Sequence, residues 1–244
     1  MAGIFYNLGK MLGPKVRKGK WVWKSLTADA DEAITAEREV GLDIASAVMN
    51  EMAMAASARQ KFVSAYGSKL ARRVANKKIK FNFFVYLDTT PNAFAVPGGF
   101  IFVSSSLLDL YGEDPDMSAF VIAHEMGHVV RKHAVNRLVN SAALGAVTRA
   151  LPVKGKISAM LKSTGLKFFQ SAYSQSQEFE ADEFGVKLTR AAGFKADAAV
   201  KALKKLAECH KNESRNATDE YFSTHPATIK RISAIKQLLL NLKK

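Results

Sequence analysis

The sequence is poor in cysteine and in long apolar runs. Its one cysteine, Cys209, cannot form a disulfide within the chain, which excludes a disulfide-stabilised scaffold and leaves the cellular compartment undecided. No apolar stretch reaches the roughly 20 residues that a membrane-spanning helix needs. The best candidate, residues 139–153, is short and interrupted by Arg149. Internal repeats and low-complexity tracts are also missing, and 244 residues with 48% hydrophobic content suffice for one globular domain.

Acidic residues are scarce relative to basic ones. The chain has 36 Lys and Arg against 22 Asp and Glu, a net charge of +14. Residues 1–28 form a predicted basic arm, in which six cations surround Trp21 and Trp23: Lys10, Lys15, Arg17, Lys18, Lys20 and Lys24. A solvated arm whose tryptophans cover the domain is the favoured interpretation, and peripheral contact with an anionic membrane surface is the alternative. Nucleic-acid binding is disfavoured because no recognised motif is present.

The N-terminus has no apolar signal core and no cleavage site. This favours a cytoplasmic protein, held peripherally at the membrane if the basic arm binds there. A periplasmic or exported location is the alternative, if a signal peptide preceded this sequence and was removed.

The most informative pattern is His124-Glu125-Met126-Gly127-His128. Two histidines four residues apart project from one face of a helix, a single turn from each other, so their imidazoles can share one zinc ion. Glu125 is rotated by about 100° from His124 and can act as a general base towards the attacking water. The pattern predicts a metal-dependent hydrolase, with the peptide bond as the favoured target.

The residues before this pattern favour a helix. Asp114-Pro115 is typical of an N-cap followed by proline at the first helical position, and an apolar run leads from Met117 into the histidines. A helix this apolar is predicted to be buried, and buried polar side chains need partners. The two histidines and the glutamate are therefore predicted to face a metal ion.

A second polar segment offers a third ligand, as a catalytic zinc requires. Within residues 177–185, Glu178 and Asp182 are four apart and share a helix face, whereas Glu180 and Glu183 point elsewhere. Glu178 would bind the metal, and Asp182 would accept the second N–H of a ligating histidine. Without the upstream histidines, a solvated acidic face would be the simpler interpretation.

These two motifs, in this order, resemble family forty-eight of the metallopeptidases. That family includes the HtpX membrane proteases, the CAAX prenyl endopeptidases, the mitochondrial Oma proteases and the periplasmic BepA-like proteins. Two further segments are similar to the family: residues 92–103, upstream of the metal helix, and Thr224-His225-Pro226, with Arg231 following. The likeness spans roughly residue 79 to the C-terminus. Because it lacks a membrane-spanning run, the sequence resembles the soluble branch of this family more than the membrane-embedded branches.

The resemblance implies one Zn²⁺ per chain and a role for each matching residue. His124, His128 and Glu178 would be the ligands. Glu125 would be the general base, and Asp182 the partner of a ligating histidine. The implied activity is that of an endopeptidase acting on unfolded or damaged polypeptides.

The chain order predicts an α+β fold, a helix-rich, single-domain, gluzincin-like zincin with a small β-sheet whose edge strand flanks the zinc helix. The domain would span residues 1–244, with two helices in residues 29–78 packed on a catalytic core of residues 79–244. Gly127 and Gly185 would let the two polar helices approach closely. A loop is expected around residues 152–155, and Gly193 is the predicted end of the second polar helix.

The segment before the metal helix predicts a small sheet. Residues 79–87 alternate apolar and polar side chains, typical of a strand with one buried face, and Pro97-Gly98-Gly99 predicts a turn between two short strands. The resemblance implies that an edge strand, lined by Asn92, Ala93 and Phe94, binds an extended substrate by strand addition. An ordinary hairpin is the alternative.

His225 precedes Pro226, which opens the predicted last helix. The resemblance implies that His225 faces the active site. There it would either donate to the developing oxyanion or take the open position on zinc as a fourth ligand. In the second case the protein is latent, or a non-catalytic, chaperone-like protein.

Two further residues are not predicted to bind the metal. Arg231 is most simply an exposed helix arginine, with a hydrogen bond to a carboxylate or carbonyl near the site as the alternative. His133 follows His128 by five positions, not the six of a third histidine ligand. Because Arg131 and Lys132 lie beside it, His133 is predicted to lie at an exposed helix end and not to bind the metal.

Overall fold

The computed structural model describes residues 30–55, 57–137, 173–212, 225 and 229–242. The helices and strands within these ranges are α1 (Ala30–Glu51), α2 (Ser57–Ala71), β1 (Asn82–Tyr86), β2 (Ala93–Val96), β3 (Phe100–Ser104), α3 (Ser105–Leu110), α4 (Pro115–Val130), α5 (Gln175–Ala191), α6 (Ala198–Asn212) and α7 (Ile229–Asn241). The basic arm, the apolar stretch at residues 139–153 and the loop around residues 152–155 lie outside the described residues.

Three strands form one mixed sheet with the order β1-β3-β2. β1 runs parallel to the central strand and β2 antiparallel to it, so that Phe84 and Phe94 both lie opposite Phe102. The predicted turn between β2 and β3 is confirmed. Gly98 and Gly99 adopt φ values of 76° and 87°, and a Cβ on Gly98 would lie 2.7 Å from the backbone of Arg38. Both a left-handed backbone and a close approach therefore require glycine at position 98.

The apolar core lies on both faces of this sheet. One cluster joins the sheet to α2, α4, α5 and α6. A smaller cluster fills the space between the sheet and α1, where Ile44 and Val48 meet Phe94 and Phe102. Helices framing a small sheet confirm the predicted α+β class. None of the helices in the described ranges is both long and apolar enough to cross a lipid bilayer.

Helix α4 is the buried centre of the fold. Asp114 caps its N-terminus by accepting hydrogen bonds from the backbone N–H groups of Asp116 and Met117, and Pro115 occupies the first turn, as predicted. Every residue from Met117 to Val129 is buried, because the sheet packs on one side of the helix and α5 and α6 on others. The metal-binding pattern is thereby held in the interior.

Helix α5 crosses α4 at close range. A Cβ on Gly127 would lie 3.1 Å from Cα of Ala181, and a Cβ on Gly185 would lie 3.2 Å from the backbone nitrogen of His124. Each helix thus contributes one glycine to the crossing, as expected from the sequence. Helix α5 begins with a capping box between Ser174 and Gln177. It ends before Gly193, whose φ of 76° confirms the predicted stop.

Candidate metal centre

His124 and His128 lie one turn apart on α4, and both are buried. Their Nε2 atoms are 3.1 Å apart. Helical spacing alone produces this arrangement, since side chains four residues apart project from the same face. The two nitrogens are close enough to bind one ion.

Glu178 of α5 and His225 complete a cluster of four donors. Oε1 of Glu178 lies 3.4 Å from Nε2 of His128, and Oε2 lies 3.5 Å from Nε2 of His124. Nδ1 of His225 lies 2.9 Å from Oε1 of Glu178 and 3.3 Å from Nε2 of His124. One ligand atom from each of the four residues lies within 4.8 Å of all the others.

This cluster fits a divalent metal ion. Three imidazoles and a carboxylate are a nitrogen and oxygen donor set that suits zinc and its neighbours in the transition series. All four side chains are almost completely buried and converge on one point. Buried polar groups of this kind need a partner, and a cation at that point provides one for each of them.

Glu125 lies beside the cluster without joining it. Its side chain is fully buried, and neither carboxylate oxygen has a hydrogen-bond partner among the described residues. Oε1 lies 3.4 Å from Nε2 of His225. Burial raises the pKa of Glu125 above its usual value, against the attraction of His225 and His124. A carboxylate with a raised pKa, close to the metal donors, suits a general base.

Asp182 lies one turn after Glu178 and holds the first histidine. Its Oδ1 is 3.0 Å from Nδ1 of His124. If the metal binds Nε2 of His124, the proton of that ring is on Nδ1, facing Asp182. The position of Asp182 is the one expected from the sequence.

Arg231 of α7 is buried and contacts both acidic residues, so the simpler interpretation of an exposed arginine is wrong. Its Nη1 lies 2.6 Å from Oε2 of Glu178, and its Nε and Nη2 each lie 2.7 Å from an oxygen of Asp182. The alternative made from the sequence, a hydrogen bond to a carboxylate near the site, is confirmed. The helical spacing held a usable signal, because Arg231 is four residues before the buried Ile235 and shares its face.

These contacts keep the ligand carboxylate ionised. Burial alone would favour protonated acids, but the charges of His225 and Arg231 hold the pKa of Glu178 well below its usual value. Burial likewise opposes ionisation of Asp182, and Arg231 lowers the pKa of that carboxyl. Both groups are therefore anionic at neutral pH, as metal binding and the contact with His124 require.

The prediction that His133 lies at an exposed helix end is wrong. His133 is buried, and its Nδ1 lies 2.9 Å from Nδ1 of His128. The reason is a backbone feature that periodicity does not show. Lys132 adopts a φ of 58° immediately after α4, which turns the chain so that the next side chain points back towards the helix.

Tyr173 contacts a residue of the metal centre and was not predicted from the sequence. Its ring stacks on that of His128, with 3.8 Å between centroids and 16° between planes. The guanidinium carbon of Arg137 lies 3.5 Å from the centroid of the Tyr173 ring. No spacing rule connects these residues, because the contact depends on how the start of α5 meets the end of α4.

The predicted substrate-binding residues lie at the outer strand of the sheet, next to α4. Asn92 precedes β2 and is 1% exposed, and its amide nitrogen and oxygen have no hydrogen-bond partner in the described ranges. Ala93 belongs to the core cluster shared with α4. The Phe94 side chain instead stacks on Phe102 on the α1 side of the sheet, away from the side that faces α4.

Comparison with known proteins agrees with this site. Peptidase family M48 matches residues 57–239 of the chain, well over half of its length. The mitochondrial metalloendopeptidase OMA1 of Schizosaccharomyces pombe is 28% identical over 217 residues, which cover 86% of this chain and 63% of that protein. The metalloprotease LoiP of Escherichia coli is 32% identical over 160 residues, covering 64% of this chain and 61% of the relative.

The β-barrel assembly-enhancing protease of Escherichia coli is 27% identical over 184 residues, or 71% of this chain and 37% of the relative. The chain thus spans between about a third and two thirds of the length of these relatives. The matched range contains α4, α5 and His225, and so every donor of the metal centre. The predicted resemblance is confirmed: the chain belongs to peptidase family M48, a family of metallopeptidases.

Proposed function

We propose that this protein is a zinc-dependent endopeptidase that hydrolyses peptide bonds in unfolded or damaged proteins. The observation that carries the proposal is the position of Glu125. It is a fully buried carboxylate with no hydrogen-bond partner among the described residues, beside four converging metal donors. A purely structural metal site has no use for such a group, whereas a hydrolase needs a base at this place.

The proposed mechanism assigns one task to each residue. His124, His128 and Glu178 would hold the zinc, which when bound supplies a Lewis acid and lowers the pKa of a coordinated water. Glu125 removes a proton from the attacking water and delivers it to the leaving amine nitrogen. Burial raises the pKa of Glu125 above the usual value, the direction that makes a carboxylate a stronger base.

Asp182 and Arg231 prepare the site for this reaction. Asp182 fixes the tautomer of His124 through the contact at Nδ1. Arg231 fixes Asp182 in turn with two hydrogen bonds and also holds one oxygen of Glu178. These side chains orient the donors without contacting the reacting atoms.

The proposed substrate-binding element is the outer edge of β2. In the part of the chain that the structure describes, no backbone hydrogen bond joins this edge to another segment. An antiparallel strand leaves every second pair of backbone N–H and C=O groups pointing away from its neighbour. Residues 93–96 are at most 1% exposed, so pairing requires that this edge first be uncovered. An extended polypeptide can then pair with it whatever its sequence, which favours unfolded chains as substrates. The unpartnered amide of Asn92 supports the proposal.

The position of His225 favours a second candidate function. Its Nδ1 lies among the other three donors, and four protein ligands are typical of a closed zinc site with no place for water. With His225 bound, the protein would be latent, or a non-catalytic, chaperone-like protein. In the active alternative, His124, His128 and Glu178 would hold the metal without His225, and His225 would donate to the oxyanion, beside Glu125.

Cleavage of casein by the zinc-loaded chain tests both candidates. We would compare the unaltered chain with Glu125→Gln, His225→Ala and the double substitution, and measure bound zinc in each. The proposal expects cleavage by the unaltered chain or by His225→Ala, and its loss with Glu125→Gln although zinc stays bound. Activity that appears only in His225→Ala would show that His225 keeps the unaltered protein latent. Zinc-loaded proteins that all fail to cleave casein would favour the non-catalytic function.

The basic arm carries a separate proposal, peripheral contact with an anionic membrane surface by a cytoplasmic protein, which is the alternative to the solvated arm that the sequence favours. The support is the sequence pattern of cations around Trp21 and Trp23. Sedimentation with vesicles tests it. Binding to anionic but not to neutral vesicles, lost when the six cations of the arm are replaced by glutamine, is the expected result.

A further inference from the structure

His128, the second histidine of the metal centre, lies next to another histidine, His133. Nδ1 of His128 lies 2.9 Å from Nδ1 of His133, and both rings are buried. The other nitrogen of His128, Nε2, faces the metal donors at 3.1 Å from His124 and 3.4 Å from Glu178. One edge of the His128 ring thus faces the cluster, and the opposite edge faces His133.

The proton positions follow from this geometry. A neutral imidazole carries one N–H donor and one acceptor nitrogen. If His128 binds a metal through Nε2, that nitrogen has no proton, and its Nδ1 is the donor. Nδ1 of His133 must then be the acceptor. The proton of His133 is consequently on Nε2, which lies 3.7 Å from a carboxylate oxygen of Glu180.

We propose that His133 is a positioning residue for the metal ligand His128 and accepts its Nδ1–H, at the place that corresponds to that of Asp182 beside Nδ1 of His124. The proposal rests on the proposed function, because it takes His128 as a ligand. Both histidines of α4 then have a dedicated acceptor, one from α5 and one from the turn after α4. An acceptor at this place fixes the tautomer and the ring orientation of a ligand.

Two neighbouring features hold the pair of rings in place. Tyr173 stacks on the face of His128, so that the ring cannot tilt away from the hydrogen bond at its edge. The left-handed backbone of Lys132 turns His133 inwards, and the Lys132 side chain is itself tied to Glu37 at 2.9 Å. A left-handed backbone at a residue other than glycine costs free energy, and its presence beside the metal donors is consistent with a functional contact.

Zinc affinity, measured by competition with a chelating indicator, tests the proposal in the full chain. His133→Leu fills similar space without an acceptor and should lower zinc affinity by about ten- to hundredfold. His133→Asn places an amide oxygen near the position of Nδ1, and its affinity should stay within about threefold of the unaltered chain. Asn136→Leu, at an exposed position on the same segment, is the control and should bind zinc normally.

A nuclear magnetic resonance experiment separates positioning from a merely structural role. In the zinc-loaded protein with ¹⁵N-labelled histidine, the Nδ1–H proton of His128 should be protected from exchange in the unaltered chain and in His133→Asn, and lost in His133→Leu. Denaturant unfolding in the presence of chelator measures the stability that each variant has without metal. That stability should not rank the variants as zinc affinity does.

Equal zinc affinities of His133→Leu and the unaltered chain would overturn the proposal. So would a His133→Asn variant as weak as His133→Leu. Both outcomes leave the proposed function intact, since that is tested by casein cleavage and its dependence on Glu125. Conversely, a chain that binds zinc with the expected ranking but never cleaves a peptide would support the role of His133 and contradict the endopeptidase.

Discussion

Arg231 donates two hydrogen bonds to Asp182, each 2.7 Å long, in the parallel geometry that guanidinium and carboxylate groups share. A third nitrogen of the same side chain contacts Glu178. Helix α7 is thereby tied to both acidic residues of α5, the metal ligand and the partner of His124. One buried cation compensates two buried carboxylates, and this cation is only 1% exposed.

Replacing Arg231 by methionine should destabilise the protein strongly. The change keeps much of the apolar volume and leaves two buried carboxylates without their cation, which costs about 3–5 kcal/mol. Urea unfolding of the metal-free chain measures the effect. Lys230→Met, at the exposed preceding position, is the control and should change the free energy of unfolding by no more than about 0.5 kcal/mol. Similar values for the two variants would show that the Arg231 contacts contribute little.

Removing the metal should lower the melting temperature of the unaltered chain. The four donors come from α4, α5 and the segment before α7, so a bound ion connects three parts of the fold. A ligand at a hundred times its dissociation constant stabilises the native state by about 2.7 kcal/mol. Calorimetry with and without chelator measures the shift, and added zinc should restore it.

His124→Ala is the matched control for this prediction. It lacks one ligand, and its melting temperature should respond much less to the chelator. A chelator shift that is the same in His124→Ala and in the unaltered chain would mean that the stabilising ion binds elsewhere.

The sequence predicted the parts of the site that depend on local geometry. His124 and His128 share a face because they are four residues apart, and the same rule pairs Glu178 with Asp182. The N-cap at Asp114 follows equally from neighbouring residues. Each of these predictions needs only the helix period or the residue types at the start of the helix, and the structure places each residue accordingly.

Contacts that depend on the packing of distant segments were not predictable in this way. The sequence predicts a turn between two short strands, β2 and β3, but nothing local shows that β1 pairs in parallel with β3 and leaves β2 at the edge. His133 was assigned to an exposed helix end because its neighbours are charged. A single left-handed residue, Lys132, reverses that direction, and hydrophobic periodicity carries no signal for such a turn.

Replacing Gly185 by alanine should destabilise the protein and weaken metal binding. Alanine is favoured over glycine within a helix by about 1 kcal/mol, but the new Cβ would lie 3.2 Å from the backbone of His124. Relief requires α5 to move from α4, and overpacking of this kind costs about 1–3 kcal/mol. Urea unfolding and zinc competition measure the two effects.

Gly67→Ala is the control variant. It separates the loss of stability caused by crowding from damage to the metal centre. Its Cβ would lie 2.6 Å from the ring of Phe83, where α2 packs on β1. This variant should also lose stability but keep the zinc affinity of the folded protein. A stabilising Gly185→Ala, or one with unchanged zinc affinity, would show that the crossing of α4 and α5 adjusts without moving the ligands.

Replacing Asn92 by alanine should impair catalysis without impairing the fold. The Asn92 side chain is buried, yet neither amide atom has a hydrogen-bond partner among the described residues, so its removal costs the protein no hydrogen bond within that part of the chain. If the amide binds substrate backbone at the edge of β2, its loss removes about 0.5–1.5 kcal/mol of binding. That loss corresponds to a decrease of roughly two- to tenfold in kcat/KM.

The measurement uses a fluorogenic peptide and whichever form is active, the unaltered chain or His225→Ala. Ser118→Ala is the matched control, because Ser118 is also buried on α4 with a hydroxyl that lacks a partner in the described ranges. Both variants should unfold at nearly the same urea concentration as their parent. Only Asn92→Ala should lower kcat/KM, since only its amide lies at the start of the edge strand. An equal effect of the two substitutions would indicate that the Asn92 amide has no contact with substrate.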